Sequence, residues 1–243
     1  MVTELDRHGS QSGSGGRNLT FGILEVIGRA IVTGEYNYVP FPIEAEIARQ
    51  HGVSRSVVRE AVKMLSAKGL LTARPRKGTS VLPSAQWNLF DTDVLRWLLE
   101  RKFSLELLRH FTELRLAIEP AAAEIAARAA NAEGLAGIAA GFARMEAAER
   151  DDDDPLEADI AFHIAILQAS ANPFYMQFRD VVQTALRSSI RFTNRFKGRT
   201  ASLPQHYAVM DGIVRRNAPA AQAAMAVLIG EVMELIEAAE RKG

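Results

Sequence analysis

The 243-residue chain contains no cysteine. That excludes a disulfide framework and a thiolate metal site, and is compatible with a reducing compartment. It has no unbroken apolar run of about 18 residues, the length that a membrane-spanning helix needs. The opening "MVTELDRHGSQSGSGGRN" lacks the apolar core of a signal peptide and reads as a flexible Gly/Ser tail over residues 1–18. A cytoplasmic protein with no membrane partner is expected. Net charge is missing as well, with 29 Lys and Arg against 29 Asp and Glu. What is present is ample apolar content, 48% of residues, on a chain long enough for one large domain or two modest ones.

The charge is unevenly spread. Residues 1–83 hold 11 basic and 7 acidic side chains, whereas the remaining 160 hold 18 and 22. A basic module that meets a polyanion, joined to an acidic one that does not, accounts for this split. The first module has a recognisable grammar. Leu19 to Val32 shows helical spacing of apolar residues, and "IEAEIARQHG" gives a short helix ended by Gly52. Ser54 stands as N-cap to a second helix, "RSVVREAVKMLSAKG". "LLTARPRKGTSVLP" reads as two short strands around a basic turn at Arg76, Lys77 and Gly78. Helix, short helix, turn, helix and wing is the layout of a winged helix-turn-helix, expected over residues 19–83.

On the second of the paired helices, Ser54, Arg55 and Ser56 occupy the first turn, and Arg59 follows one turn later on the face of Arg55. Free N–H groups and arginine forks at a helix start suit phosphates and guanine edges. Val58, Ala61, Val62 and Leu65 form the opposite stripe, expected to be buried. The bland reading is a surface helix with two solvated arginines, which the adjoining wing argues against. The run "VSRSVVREAV…L…GL…RKGT.V" resembles the N-terminal domain of GntR-type bacterial transcription regulators. The resemblance implies DNA contacts by Arg55, Arg59 and the wing at Gly78. Ile43 stands where that family usually has Ser or Thr, and Ala45 where many members have a DNA-contacting Arg or Lys. Fewer contacts per monomer are therefore expected, with Arg55, Arg59 and the wing carrying more of the affinity.

Residues 84–100, "SAQWNLFDTDVLRWLLE", are too apolar for a floppy linker and read as an ordered interdomain segment. Residues 101–243 show no convincing strand. Helical spacing runs through 104–130, 133–150, 156–171, 173–195, 200–216 and 218–240, predicting an all-α bundle of six helices and a mainly α protein overall. The four aspartates at 151–154 read as a helix N-cap region rather than a calcium loop, which needs ligands over more positions and a glycine turn. Asp159 and His163, in "EADIAFHIAILQASANPF", stand four apart and so share a helix face. With His206, on a later helix, they could hold one divalent ion. Spacing alone leaves open a histidine that merely hydrogen-bonds an aspartate in a core.

"LRLAIEPAAAEIAARAA", "EADIAFHIAILQASANPF" and "QHYAVMDGIVRRNAPAAQAAMAVLI" resemble the FCD effector domain of the FadR branch of GntR regulators, most like the repressors of galactonate and related sugar-acid operons. The resemblance implies a divalent metal, zinc foremost with nickel or manganese as alternatives, held by Asp159, His163 and His206. The family's fourth histidine falls where this chain has Leu228, so a three-ligand site is what remains. It further implies a cavity-facing Arg115 for a small carboxylate effector, a sugar acid or hydroxy acid; the other reading of Arg115 is a pair with Glu119 on a solvated face. Arg187 and Ser189 are further candidates for polar contacts to the effector. The expected function is a homodimeric repressor of a palindromic operator, with no catalytic residues. A metal-free regulator of acyl-CoA type and a metal-dependent hydrolase are the competing readings.

Overall fold

A computed structural model describes residues 12–74, 78–102, 104–196 and 202–241. The chain divides into two compact units, Met1–Lys102 and Phe103–Gly243.

The first unit opens with α1 (Ser12–Thr33), which starts inside the stretch expected to be tail. The Tyr36–Phe41 ring pair then shapes the loop to α2 (Glu44–His51), whose C-cap Gly52 adopts the left-handed φ of 64°. α3 (Arg55–Ala67) is capped by Ser54, whose hydroxyl accepts from the Val57 N–H at 3.4 Å. It buries Val58, Ala61, Val62 and Leu65, the stripe that the spacing required. β1 (Leu71–Arg74) and β2 (Gly78–Val81) pair antiparallel, with Leu71 opposite Val81 and Arg74 opposite Gly78.

The segment expected to lie between domains packs within this first unit. After one 3-10 turn at Ser84–Gln86 it forms α4 (Thr92–Leu98), capped by Asp91. Trp97 of α4 is fully buried against α1, where a Cβ at position 28 would fall 2.2 Å from the indole. Gly28 is thus the only residue type that allows this approach. The Trp97 indole N–H donates to Glu25 Oε1 at 3.0 Å, and Arg96 grips the same carboxylate with both Nη atoms at 2.6 and 2.7 Å. Lys68, just past α3, lies 2.8 Å from both Asp91 and Asp93. One tryptophan and two ion clusters therefore fasten α4 to the helices of the head.

The second unit is helical throughout its described residues: α5 (Leu105–Ala129), α6 (Ala132–Ala148), α7 (Pro155–Ala169), α8 (Pro173–Met176), α9 (Arg179–Phe196), α10 (Leu203–Val214) and α11 (Ala218–Glu240). Ser104, Asn131, Asp154, Asn172 and Asn217 each cap the following helix by accepting a backbone N–H. The stretch 173–195, expected as one helix, is divided into α8 and α9 around Gln177 and Phe178. Phe178 packs against the core there, and no glycine or proline marks the break. Asp153 pairs with Arg144 at 2.8 and 3.0 Å while Asp154 caps α7, so two of the four aspartates serve local structure.

α11 packs on α5 and α10, and α6 on α7. Small residues make these approaches close: Ala122, Ala123, Ala126 and Ala127 of α5 are fully buried, and a Cβ at Gly141 would meet the Phe162 backbone at 2.8 Å. By length and composition α11 would span a membrane, the one such helix among the described residues. Here one face of it packs on α5 and α10, burying Ala221, Met225 and Ile229, while Val227 on another face is exposed.

Candidate functional site

The head presents its exposed polar face on α3. Ser54, Arg55, Ser56 and Arg59 are all exposed, and the Ser54 and Ser56 hydroxyls lie 2.8 Å apart. Glu60, the acid nearest these arginines on the helix, is taken by Lys63 at 2.8 Å. Gly78 opens β2 with φ of 78° and is exposed. Arg76 and Lys77, the basic residues expected at the wing tip, lie outside the described residues. Ile43 occupies the N-cap position of α2 with its side chain 63% exposed and no acceptor to offer. Only half of a reciprocal cap forms, with the Glu46 carboxylate accepting from the Ile43 N–H at 3.3 Å.

In the body, five ionisable side chains meet inside the bundle. Arg115 and Glu119 come from α5, Asp159 and His163 from α7, and His206 from α10, each between 1% and 6% exposed. Sequence spacing placed Asp159 and His163 on one face; the fold adds His206, so that one ligand atom from each lies within 4.8 Å of the others. Asp159 Oδ1 is 3.7 Å from His163 Nε2 and 2.9 Å from His206 Nε2. Phe162 stands edge-on to both imidazoles, 5.9 and 5.2 Å between centroids.

Each imidazole is anchored through its other nitrogen. His163 Nδ1 donates to Glu119 Oε2, and His206 Nδ1 donates to the Ser202 carbonyl at 2.9 Å. These acceptors place the ring proton on Nδ1 and leave Nε2 as a lone pair aimed inward. His206 Nε2 has no hydrogen-bond partner, although it is buried. The 2.9 Å distance to Asp159 reads as an ion pair, but the oxygen lies off the line of a ring N–H. Direction decides here, because a proton on a ring nitrogen cannot swing out of the plane. Two acceptors thus face each other across a gap that a cation suits.

The Arg115–Glu119 pair exists, but both members are buried instead of solvated, which corrects the alternative read from spacing. Arg115 reaches Glu119 Oε1 through Nε, and its Nη2 lies 3.4 and 3.5 Å from the two His163 ring nitrogens. Burial works against ionising Glu119, yet the Arg115 charge, with hydrogen bonds from His163 and Arg115, brings it down to about 2. Asp159 is held at about 2 as well, burial being outweighed by His206, His163 and Arg115. Both carboxylates are therefore anionic at neutral pH.

Arg187 is turned to Glu157 at the start of α7, 2.6 Å away, and Ser189 is buried two residues further along α9. Neither is in a described contact with the five-residue cluster. Leu228, in place of a fourth histidine, is buried in the bundle core. Glu119 is the member that sequence reasoning did not place in the site. Its signal was the four-residue spacing from Arg115 in an alanine-rich helix, where an acid paired to a buried arginine must itself be buried.

Comparison with known proteins gives this arrangement a family. Residues 23–81 match the model of the bacterial regulatory proteins of the gntR family, and residues 110–231 match the FCD domain. The chain is a GntR-family transcription regulator with an FCD domain. The galactonate operon transcriptional repressor of Escherichia coli (strain K12) is 35% identical over 226 residues, covering 90% of this chain and 98% of its own. The uncharacterised regulator YieP of the same organism is 34% identical over 216 residues, 88% and 93% of the two chains. The solved Streptococcus agalactiae GntR shares the fold, with a TM-score of 0.50, 24% identity, and coverage of 90% and 99%. As a GntR-family regulator the chain binds DNA and controls transcription rather than catalysing a reaction, so the hydrolase reading falls.

Proposed function

We propose that this regulator is a homodimeric repressor whose hold on a palindromic operator is governed by a small carboxylate, a sugar acid or hydroxy acid, bound in the helical body. The observation that carries the reading is the buried cluster of Arg115, Asp159, His163 and His206. Three ligand atoms converge with one imidazole nitrogen left partnerless, and a guanidinium stands beside them. Oxygen and imidazole donors in that number fit zinc, with nickel or manganese as alternatives. Asp159, His163 and His206 would hold the ion, which would supply open coordination positions for a carboxylate and an adjacent hydroxyl. Charge favours the same order. With both imidazoles neutral, as metal ligation requires, two carboxylates and one guanidinium sum to −1; a divalent ion takes the cluster to +1, complementary to an anion that Arg115 can meet with its fork. Similarity to the galactonate operon repressor points to the sugar-acid class.

On the head, Arg55 and Arg59 are assigned to DNA, together with Ser54, Ser56, Gly78, Arg76 and Lys77. One winged helix offers few base contacts, so two copies about one helical turn of DNA apart are needed for specificity. The place of work is the cytoplasm, where a bacterial chromosome is. The effector must bind the two DNA-affinity states unequally to shift their populations.

The decisive experiment is a fluorescence-anisotropy titration against the DNA beside the protein's own gene, with and without a panel of sugar acids and added zinc. Arg55→Ala and Arg59→Ala should each weaken specific binding by about 1–3 kcal/mol, and a matched acid should release the DNA. Binding that ignores both substitutions would overturn the assignment of the head. Purified protein without divalent metal, whose response to acids survives chelator, would favour the metal-free alternative.

A further inference from the structure

We infer that Glu119 is the positioning residue of the body's receptor site: it sets the proton of His163 with one carboxylate oxygen and holds Arg115 with the other. The inference rests on the proposed metal and anion site and assigns a role to the one member of the cluster that is proposed neither as a metal ligand nor as an anion contact. Its two oxygens accept from different partners, Oε1 from Arg115 Nε and Oε2 from His163 Nδ1. Glu119 is 1% exposed, so losing either contact leaves a buried donor to be satisfied by another group. A neutral imidazole has one N–H. Fixing it on Nδ1 makes Nε2 the lone pair that faces Asp159.

The same contact restrains the guanidinium. With Nε committed to Glu119, Arg115 keeps only its Nη groups for an incoming carboxylate. The His163 ring and the Arg115 fork therefore take their orientations from one carboxylate, on the same helix as the arginine. Without it, each would be free to turn, and Arg115 would bring an uncompensated positive charge beside the proposed ligands.

Replacing a single oxygen tests this. In Glu119→Gln the amide has one acceptor and one donor end for two partners that both donate. The arginine, being charged, takes the oxygen, so the amide NH2 meets His163 Nδ1 and forces the ring proton to Nε2. Removing the charge in Arg115→Met/Glu119→Gln lets the amide turn and give its oxygen back to His163.

Long-range proton–nitrogen NMR of the full-length, metal-stripped protein reads the tautomer directly, and only five histidines need assigning. The wild type should show His163 protonated at Nδ1, E119Q at Nε2, and the double variant at Nδ1 again. Zinc titrations against a competing chelator should give E119Q a 10–100-fold loss of affinity, the usual cost of losing such an outer contact. The double variant should recover part of that loss. An unchanged tautomer together with unchanged zinc affinity in E119Q overturns the inference, and so does an E119Q tautomer that the double variant fails to reverse. Wild-type protein that takes up no zinc overturns the metal reading instead, while the tautomer comparison still decides the role of Glu119. Should E119Q not fold, the double variant with Nε2 protonated overturns the inference on its own.

Discussion

Ile43 shows how one side chain leaves stability unclaimed. The α2 cap lacks its second half because isoleucine offers no acceptor, and the side chain is exposed. Ile43→Ser supplies one where the backbone is already extended, at φ −74° and ψ 153°. It should raise head stability by about 0.5–1 kcal/mol, seen as a higher midpoint in thermal unfolding. An unchanged midpoint would mean that the apolar contact of Ile43 matters more than the cap. At this scale the buried cluster was partly legible. Asp159 and His163 announce themselves through their spacing on a helix, and His206 through its surroundings. Glu119 did not, because a helical wheel gives an Arg–Glu pair a face but not a neighbour. Whether that face meets water or another helix depends on α7, more than thirty residues away.

Elements with capping residues were read well, since Ser54, Asn131 and Asn217 each mark a start locally. The break between α8 and α9 was not, because no glycine or proline marks it and the packing of Phe178 against the core leaves no local signature. The role of α4 was also hidden. Its apolar residues signalled order, but only the fold identifies Gly28 as their seat. Gly28→Ala would press a methyl group into the Trp97 indole. It should cost about 1–3 kcal/mol in chemical unfolding and red-shift the Trp97 emission. The ion cluster beside it carries a pH dependence. Arg96 foremost, with Arg29 and the Trp97 indole, holds Glu25 at about 2 against the opposing effect of burial. A carboxyl whose folded value lies below its unfolded one of about 4.3 stabilises above that value, and the gain fades as pH falls. Trp97 fluorescence, isolated by Trp87→Phe, should therefore report α4 loosening between about pH 4 and pH 2. Glu25→Gln should remove that acid step.

At the scale of the whole molecule, the uneven charge and the change from a mixed α/β head to an all-α body were both visible in composition and pattern. The DNA partner was visible only through motif resemblance, because a neutral chain of this hydrophobicity fits many classes. Two responses belong at this level. Operator affinity should fall steeply with salt, and losing Arg55 or Arg59, if it meets a phosphate, should lower the slope of log affinity against log salt by about 1. A true effector at 100 times its dissociation constant should add about 2.7 kcal/mol to the stability of the body in the presence of zinc, read as a thermal shift. An Asp159→Ala variant should lose that shift while keeping its affinity for the operator.

The seat of Trp97 on α1 has a practical consequence for dissecting the chain. A fragment ending at residue 83, where the wing motif closes, discards the largest fully buried side chain of the N-terminal unit and bares the groove beside Gly28. Such a piece should be sticky and poorly soluble. Extending it to Lys102 restores the missing plug, and the excised head should then stay monodisperse in size-exclusion chromatography.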